Sequence, residues 1–190
     1  MREYYQYIVK RDNRVCNKIG RRVKQKWNAP EVGWVKIISD GAFESNKMEA
    51  GNGVIAKDSE GKIVGGVNRK FIVVCAAQIE AMAIRDAVNL AIERKFQKIC
   101  LEMDFKELFQ NLTNKYSSID WRIKPLVYDI QKLLKLIPDY KMVVINRKAN
   151  AVADWIARNS SKGMCMLNWV KYLPLSLVRI LDKDGLSAHP

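Results

Sequence analysis

A chain of 190 residues with 48% hydrophobic and 28% charged residues can bury one sizeable core but not two ordinary ones, so a single globular domain is expected. Lys and Arg outnumber Asp and Glu by 33 to 20, a net charge of +13 with a pI near 9.7, which points to a polyanionic partner such as nucleic acid or an anionic surface. The longest wholly apolar run, FIVVCAA at 71–77, is far short of the roughly 20 residues a membrane helix needs, so no bilayer span and no membrane partner are expected.

Residues 1–32 carry charge without sustained periodicity and read as a basic arm. Within 1–33, nine basic residues (Arg2, Lys10, Arg11, Arg14, Lys18, Arg21, Arg22, Lys24 and Lys26) face only Glu3, Asp12 and Glu31. Pro30 and Gly33 mark the break before the domain. From 34 to 40 apolar residues occupy both faces of an extended run, as in a buried strand. The polar, glycine-rich stretch ESNKMEAGNG (44–53) reads as a loop, and DSEG (58–61) as a hairpin turn between two further strands. The period then changes. Ile79, Met82, Ala83, Ala87, Leu90 and Ala91 follow at helical steps over 77–94, and KICLEMD (98–104) alternates again as a strand. A short helix is expected at 105–112 and a longer one at 123–137, where Pro125 suits the first turn. YKMVVIN (140–146) reads as a fifth strand and 150–158 as a helix. The order β-β-β-α-β-α-α-β-α describes an α/β layer that opens with a meander. Beyond it, a C-terminal extension over 161–190 offers Trp169, Leu173, Leu177, Ile180 and Leu181 for packing on the domain at 33–160. The cysteines, Cys16, Cys75, Cys100 and Cys165, lie far apart with no paired spacing and read as reduced thiols of an intracellular protein, nuclear or cytoplasmic.

Four acids interrupt this pattern, and each has a plain structural explanation. Asp40-Gly41 suits a strand-ending turn, Glu80 suits the positive start of a helix, Asp104 with Glu107 suits an N-cap, and Asp154 suits a solvated helix face. Their joint placement favours another reading. Asp40 ends the first strand, and a right-handed crossover through the helix at 77–94 sets the strand ending in Asp104 beside it. Glu80 shares a stripe with Ile84, Ala87 and Ala91 on the sheet-facing side or its border. Converging carboxylates repel one another unless a cation joins them, and oxygen ligands favour Mg²⁺ or Mn²⁺.

GWVKIISDGAF (33–43), DGAFESNKMEAGNGVIAKD (40–58), QIEAMAIRDAVNLA (78–91), ICLEMDFKEL (99–108) and NRKANAVADWIAR (146–158) resemble, in order, the motifs of the type 1 ribonuclease H family. The likeness is greatest to the ribonuclease H-like domains of plant non-LTR retroelement-related proteins. The resemblance implies an α/β ribonuclease H-like fold, a five-stranded mixed sheet with helices on both faces. It also implies an Asp-Glu-Asp-Asp site at Asp40, Glu80, Asp104 and Asp154, holding two Mg²⁺ or Mn²⁺ ions about 3.5–4 Å apart that hydrolyse the RNA strand of an RNA–DNA hybrid. By the same likeness Gly41, Asn46, Arg147 and Asn150 would contact nucleic acid, Arg147 having a loop charge and Asn150 a helix cap as their plain alternatives.

Three positions depart from the pattern. Val144 stands where the family often has a histidine that assists product release. Ala76 and Ala77 replace an asparagine pair that grips the hybrid. No separate hybrid-binding domain or Trp-rich basic protrusion is legible. Two functions therefore compete: a monomeric hybrid-cleaving endoribonuclease, favoured by four retained acids, and a degenerate domain that binds nucleic acid without cutting it, favoured by those losses. An exonuclease on the same fold fits less well, because Asp154 follows the R-x-x-N element at ribonuclease H spacing.

Overall fold

The computed structural model describes residues 5–10, 15–19, 28–113, 118–166 and 168–183. Parts of the expected basic arm, at 1–4, 11–14 and 20–27, and of the C-terminal extension, at 184–190, lie outside the described residues. The elements are β1 (Tyr5–Lys10), β2 (Val15–Ile19), β3 (Val35–Glu44), β4 (Glu49–Lys57), β5 (Ile63–Ile72), α1 (Ala76–Glu93), β6 (Lys98–Met103), α2 (Lys106–Thr113), α3 (Lys124–Leu134), β7 (Asp139–Val144), a 3₁₀ turn (Arg147–Asn150), α4 (Ala151–Ser161) and α5 (Leu175–Lys183). They form one sheet in the order β2-β1-β7-β6-β3-β4-β5. β3, β4 and β5 are the antiparallel meander, and β3, β6 and β7 are parallel. These five strands make the mixed sheet that the resemblance implies.

The hairpin β1–β2 was not legible. β1 pairs antiparallel with β7, placing Ile8 opposite Val143, and lengthens the sheet by two strands. YQYIVK and VCNKI lack the strict alternation of apolar and polar residues that marks KICLEM, so no period stands out.

Strand alternation divides the core. Ile37, Val54, Leu101, Met103 and Met142 face a layer of α1, α2 and α3 residues that includes Ile84, Leu108 and Ile130. On the opposite face, Ile38, Ile55 and Val143 pack against Val152 and Ile156 of α4, with Trp169, Leu177 and Leu181 of the C-terminal segment. Trp169 is fully buried, and Gly66 makes room for it: a Cβ there would lie 2.7 Å from the indole Cη2.

The loop expected over 44–53 shrinks to a turn at 45–48, because residues 49–53 belong to β4. Its glycines are there for packing. A Cβ on Gly53 would stand 2.6 Å from the Ala157 nitrogen, so α4 can lie against β4 only where side chains are missing. The DSEG turn does form, with Asp58 Oδ1 accepting from the N–H groups of Glu60 at 3.0 Å and Lys62 at 2.9 Å.

Candidate metal centre

Asp40 arrives on β3 with Ile38, whose parallel partner across β6 is Glu102; two residues further along, Asp40 and Asp104 stand at the same end of the sheet. α1 brings the third acid. Its backbone comes so close to β3 that a Cβ on Gly41 would be 2.9 Å from both the Glu80 nitrogen and the Ile79 carbonyl carbon. With no side chain in the way, the Gly41 N–H serves the carboxylates of Asp40 and Glu80. One oxygen from each of Asp40, Glu80 and Asp104 lies within 4.8 Å of the others.

Asp40 is 1% exposed, and its Oδ1 has no hydrogen-bond partner. Burial first, then repulsion from Asp104 and Asp154, pushes its pKa up to about 8. Burial and repulsion from Asp40 push Glu80 to about 9. Asp104 is also raised by burial, with the Arg147 guanidinium pulling the other way. A hard divalent cation would satisfy the orphaned Oδ1 and turn this repulsion into attraction, so the donor set fits Mg²⁺ or Mn²⁺.

Asp154 stands outside that trio. It lies in the first turn of α4, accepts from Arg158 Nε at 2.8 Å, and is near enough to repel both Asp40 and Asp104. The Arg158 contact is an i,i+4 pair that the spacing could have revealed. Exposed Arg147 reaches Asp104 Oδ2 at 3.9 Å. Asn150 begins α4 without capping it; fully buried, its amide donates to the Ser39 carbonyl at 3.2 Å, tying α4 to the strand that carries Asp40. Asn46 is exposed in the turn between β3 and β4. The plain explanation for Glu80 fails, because the first turn of α1 holds no acid. Asp104 precedes α2 by two residues and accepts from its own backbone N–H.

The sequence profile of the reverse transcriptase-like family, a ribonuclease H-like group, matches residues 38–160 and so spans Asp40, Glu80, Asp104 and Asp154. The chain belongs to this family. Over 162 residues the ribonuclease H-like chain is 26% identical to a candidate ribonuclease H protein of Arabidopsis thaliana; the match takes in 85% of this chain and 26% of that protein, so the chain spans about a quarter of its relative's length. Among solved structures, ribonuclease H1 of Halobacterium salinarum superposes with a TM-score of 0.65 at 23% identity, covering 68% of this chain and 98% of that one. The N-terminal ribonuclease H domain of a Mycobacterium tuberculosis protein gives 0.64 at 16% identity, covering 69% and 95%. LC11 ribonuclease H1, solved with an RNA/DNA hybrid, gives 0.62 at 18% identity, covering 68% and 97%. At these identities the structures establish a shared ribonuclease H fold. Among the described residues, no helix is long and apolar enough to cross a membrane, and Cys75, Cys100 and Cys165 are free thiols.

Proposed function

We propose that this domain is a metal-dependent endoribonuclease that hydrolyses the RNA strand of RNA–DNA hybrids, acting as a monomer with two Mg²⁺ or Mn²⁺ ions. The observation that carries this reading is the trio Asp40, Glu80 and Asp104, gathered around a buried Asp40 with one of its oxygens unsatisfied. Such ions supply activation of water and charge stabilisation of the leaving 3′ oxygen when bound. Asp40, Glu80 and Asp104 would hold them on the sheet side, and Asp154, oriented by Arg158, would face them from α4. Asn150 fixes the spacing between α4 and β3 through the Ser39 carbonyl. Arg147, three-quarters exposed beside Asp104, offers its guanidinium to a phosphate of the hybrid, with Asn46 and the Gly41 backbone as further contacts. The match to part of a longer Arabidopsis protein supports reading the chain as a plant domain of retroelement origin.

A second reading, a domain that binds nucleic acid without cutting it, is favoured by two features. Val144 is buried in the core, 3% exposed, where the resemblance implies a histidine, and Ala76 and Ala77 open α1 in place of hydrogen-bonding asparagines. The deciding experiment is a labelled RNA–DNA hybrid incubated with the protein in Mg²⁺ or Mn²⁺. Cleavage confined to the RNA strand is the expected result; a hybrid that is bound yet intact in both metals would leave the binding module as the better account.

A further inference from the structure

A buried carboxylate on α1 belongs to no part of the metal centre. Asp86, 2% exposed, accepts from the side-chain amide of Asn52, itself fully buried on β4, at 2.7 Å. The other end of that amide, Asn52 Oδ1, accepts the Arg69 backbone N–H of β5 at 2.8 Å, and Arg69 Nη1 lies 3.5 Å from Asp86 Oδ1. Gly41, Asn52 and Arg69 are register partners across β3, β4 and β5, so they form one row of the sheet. α1 therefore meets a single row twice: at Gly41, through the backbone of Ile79 and Glu80, and at Asn52, through Asp86.

We infer that the Asn52–Asp86 pair is a positioning clamp that sets the rotation of α1 and thereby holds the Glu80 carboxylate at the metal centre; this rests on the proposed function above. Six residues separate Glu80 from Asp86, which at about 100° per residue places them roughly 120° apart around the helix. One side chain leans toward β3 and β6, the other toward β4 and β5. Between them the buried Ala83 and Ala87 are too short to interlock with the sheet and resist turning. With a carboxylate about 5–6 Å from the helix axis, a 10° roll of α1 moves Glu80 by about 1 Å. Misplacement on that scale costs a catalytic site on the order of 100-fold. A pair serving only to fill the core would tolerate two matched apolar side chains, with the Arg69 N–H that loses its acceptor as the remaining cost.

That contrast supplies the test. The double variant Asn52→Leu/Asp86→Leu replaces both partners with apolar groups, whereas Asp86→Asn keeps an acceptor for the Asn52 amide. The double variant is expected to fold and to lose hybrid cleavage by about tenfold or more, mainly in kcat. Its affinity for Mn²⁺, measured by calorimetry without nucleic acid, should fall in parallel, while Asp86→Asn stays within about threefold of wild type on both readouts. A folded double variant with wild-type kcat and wild-type Mn²⁺ affinity overturns the clamp. Should the double variant not fold, Asn52→Ser, which shortens the side chain out of reach of Asp86, is judged by the same two measurements. If wild type binds Mn²⁺ but cuts no hybrid, the nuclease reading fails alone, and the calorimetric comparison still decides the clamp.

Discussion

Asp40 has been taken out of water and set beside two other carboxylates, so its ionised form is unfavourable until a cation arrives. The consequence for stability has a definite sign. In the unfolded chain Asp40 and Glu80 release their protons near 3.8 and 4.5, whereas in the metal-free fold they do so near 8 and 9. Between those limits the folded protein holds protons that the unfolded chain has lost, so these groups favour folding most below about pH 4 and lose that contribution as pH rises through about 9. The melting temperature of the metal-free protein should therefore fall from pH 5 to pH 9, and saturating Mg²⁺ should shrink the fall by binding the ionised carboxylates. Equal slopes with and without Mg²⁺ would argue against a metal at these acids. Asp104→Asn probes the same balance by removing one charge at constant size. It should raise the metal-free melting temperature, reduce the further rise on adding Mg²⁺, and cut hybrid cleavage by more than the roughly 100-fold ceiling for losing an outer-shell partner. Asp58→Asn, in the exposed hairpin turn, should do none of this. A fully active Asp104→Asn protein would make Asp104 a structural residue.

At the scale of elements, the site depends on two helices lying closer to the sheet than side chains normally permit. α1 rests on Gly41 and α4 on Gly51 and Gly53. Gly53→Ala would push α4 off β4, and with it Asp154 and Asn150, at a cost of about 1–3 kcal/mol by the usual penalty for overpacking. Denaturant melts measure that loss, and an unchanged midpoint would mean that α4 tolerates the methyl group. The same glycines explain what the sequence concealed. GNG at 51–53 looks like loop chemistry when local preference is all that is visible; it is strand because α4, a hundred residues later in the chain, covers it. The long-period elements were legible for the opposite reason. Ile79, Ala83, Ala87, Leu90 and Ala91 repeat along eighteen residues of α1, and the helix stops with Lys95 in the left-handed region at φ +56, close to the expected end. The approach of Asp40 to Asp104 was legible from handedness alone, since the crossover leaves their strands parallel and adjacent. The Asn52–Asp86 pair was not, because a polar residue at a helical step looks the same whether it meets water or another buried amide.

Over the whole molecule, charge and topology fall into register. β1 runs antiparallel to β7, with Ile8 opposite Val143 and Lys10 opposite Lys141, so its first residue lies toward the C-terminal end of β7, the end from which Arg147 follows. β2 returns to that same end, with Lys18 opposite Gln6 and Ile19 opposite Tyr5. Of the basic N-terminal segment, the described strands with Lys10 and Lys18 thus join the sheet on its β7 side. A polyanion laid across the C-terminal edge of β3, β6 and β7 would meet this flank next. Each phosphate neutralised there releases condensed counterions, so affinity should decline with salt along a slope set by the number of phosphates neutralised. A chain beginning at Asn28 keeps β3, β6, α1 and α4, and hence all four acids, while it drops nine of the chain's basic residues, Arg2 to Lys26. It should bind hybrid more weakly, with a shallower dependence of log affinity on log salt, by about 0.9 for each phosphate left un-neutralised on B-form duplex. Its cleavage rate at saturating hybrid should persist, because no residue of the trio leaves with the hairpin. Parallel salt slopes for the two chains would show that the hairpin only closes the β7 edge of the sheet and takes no part in holding the nucleic acid.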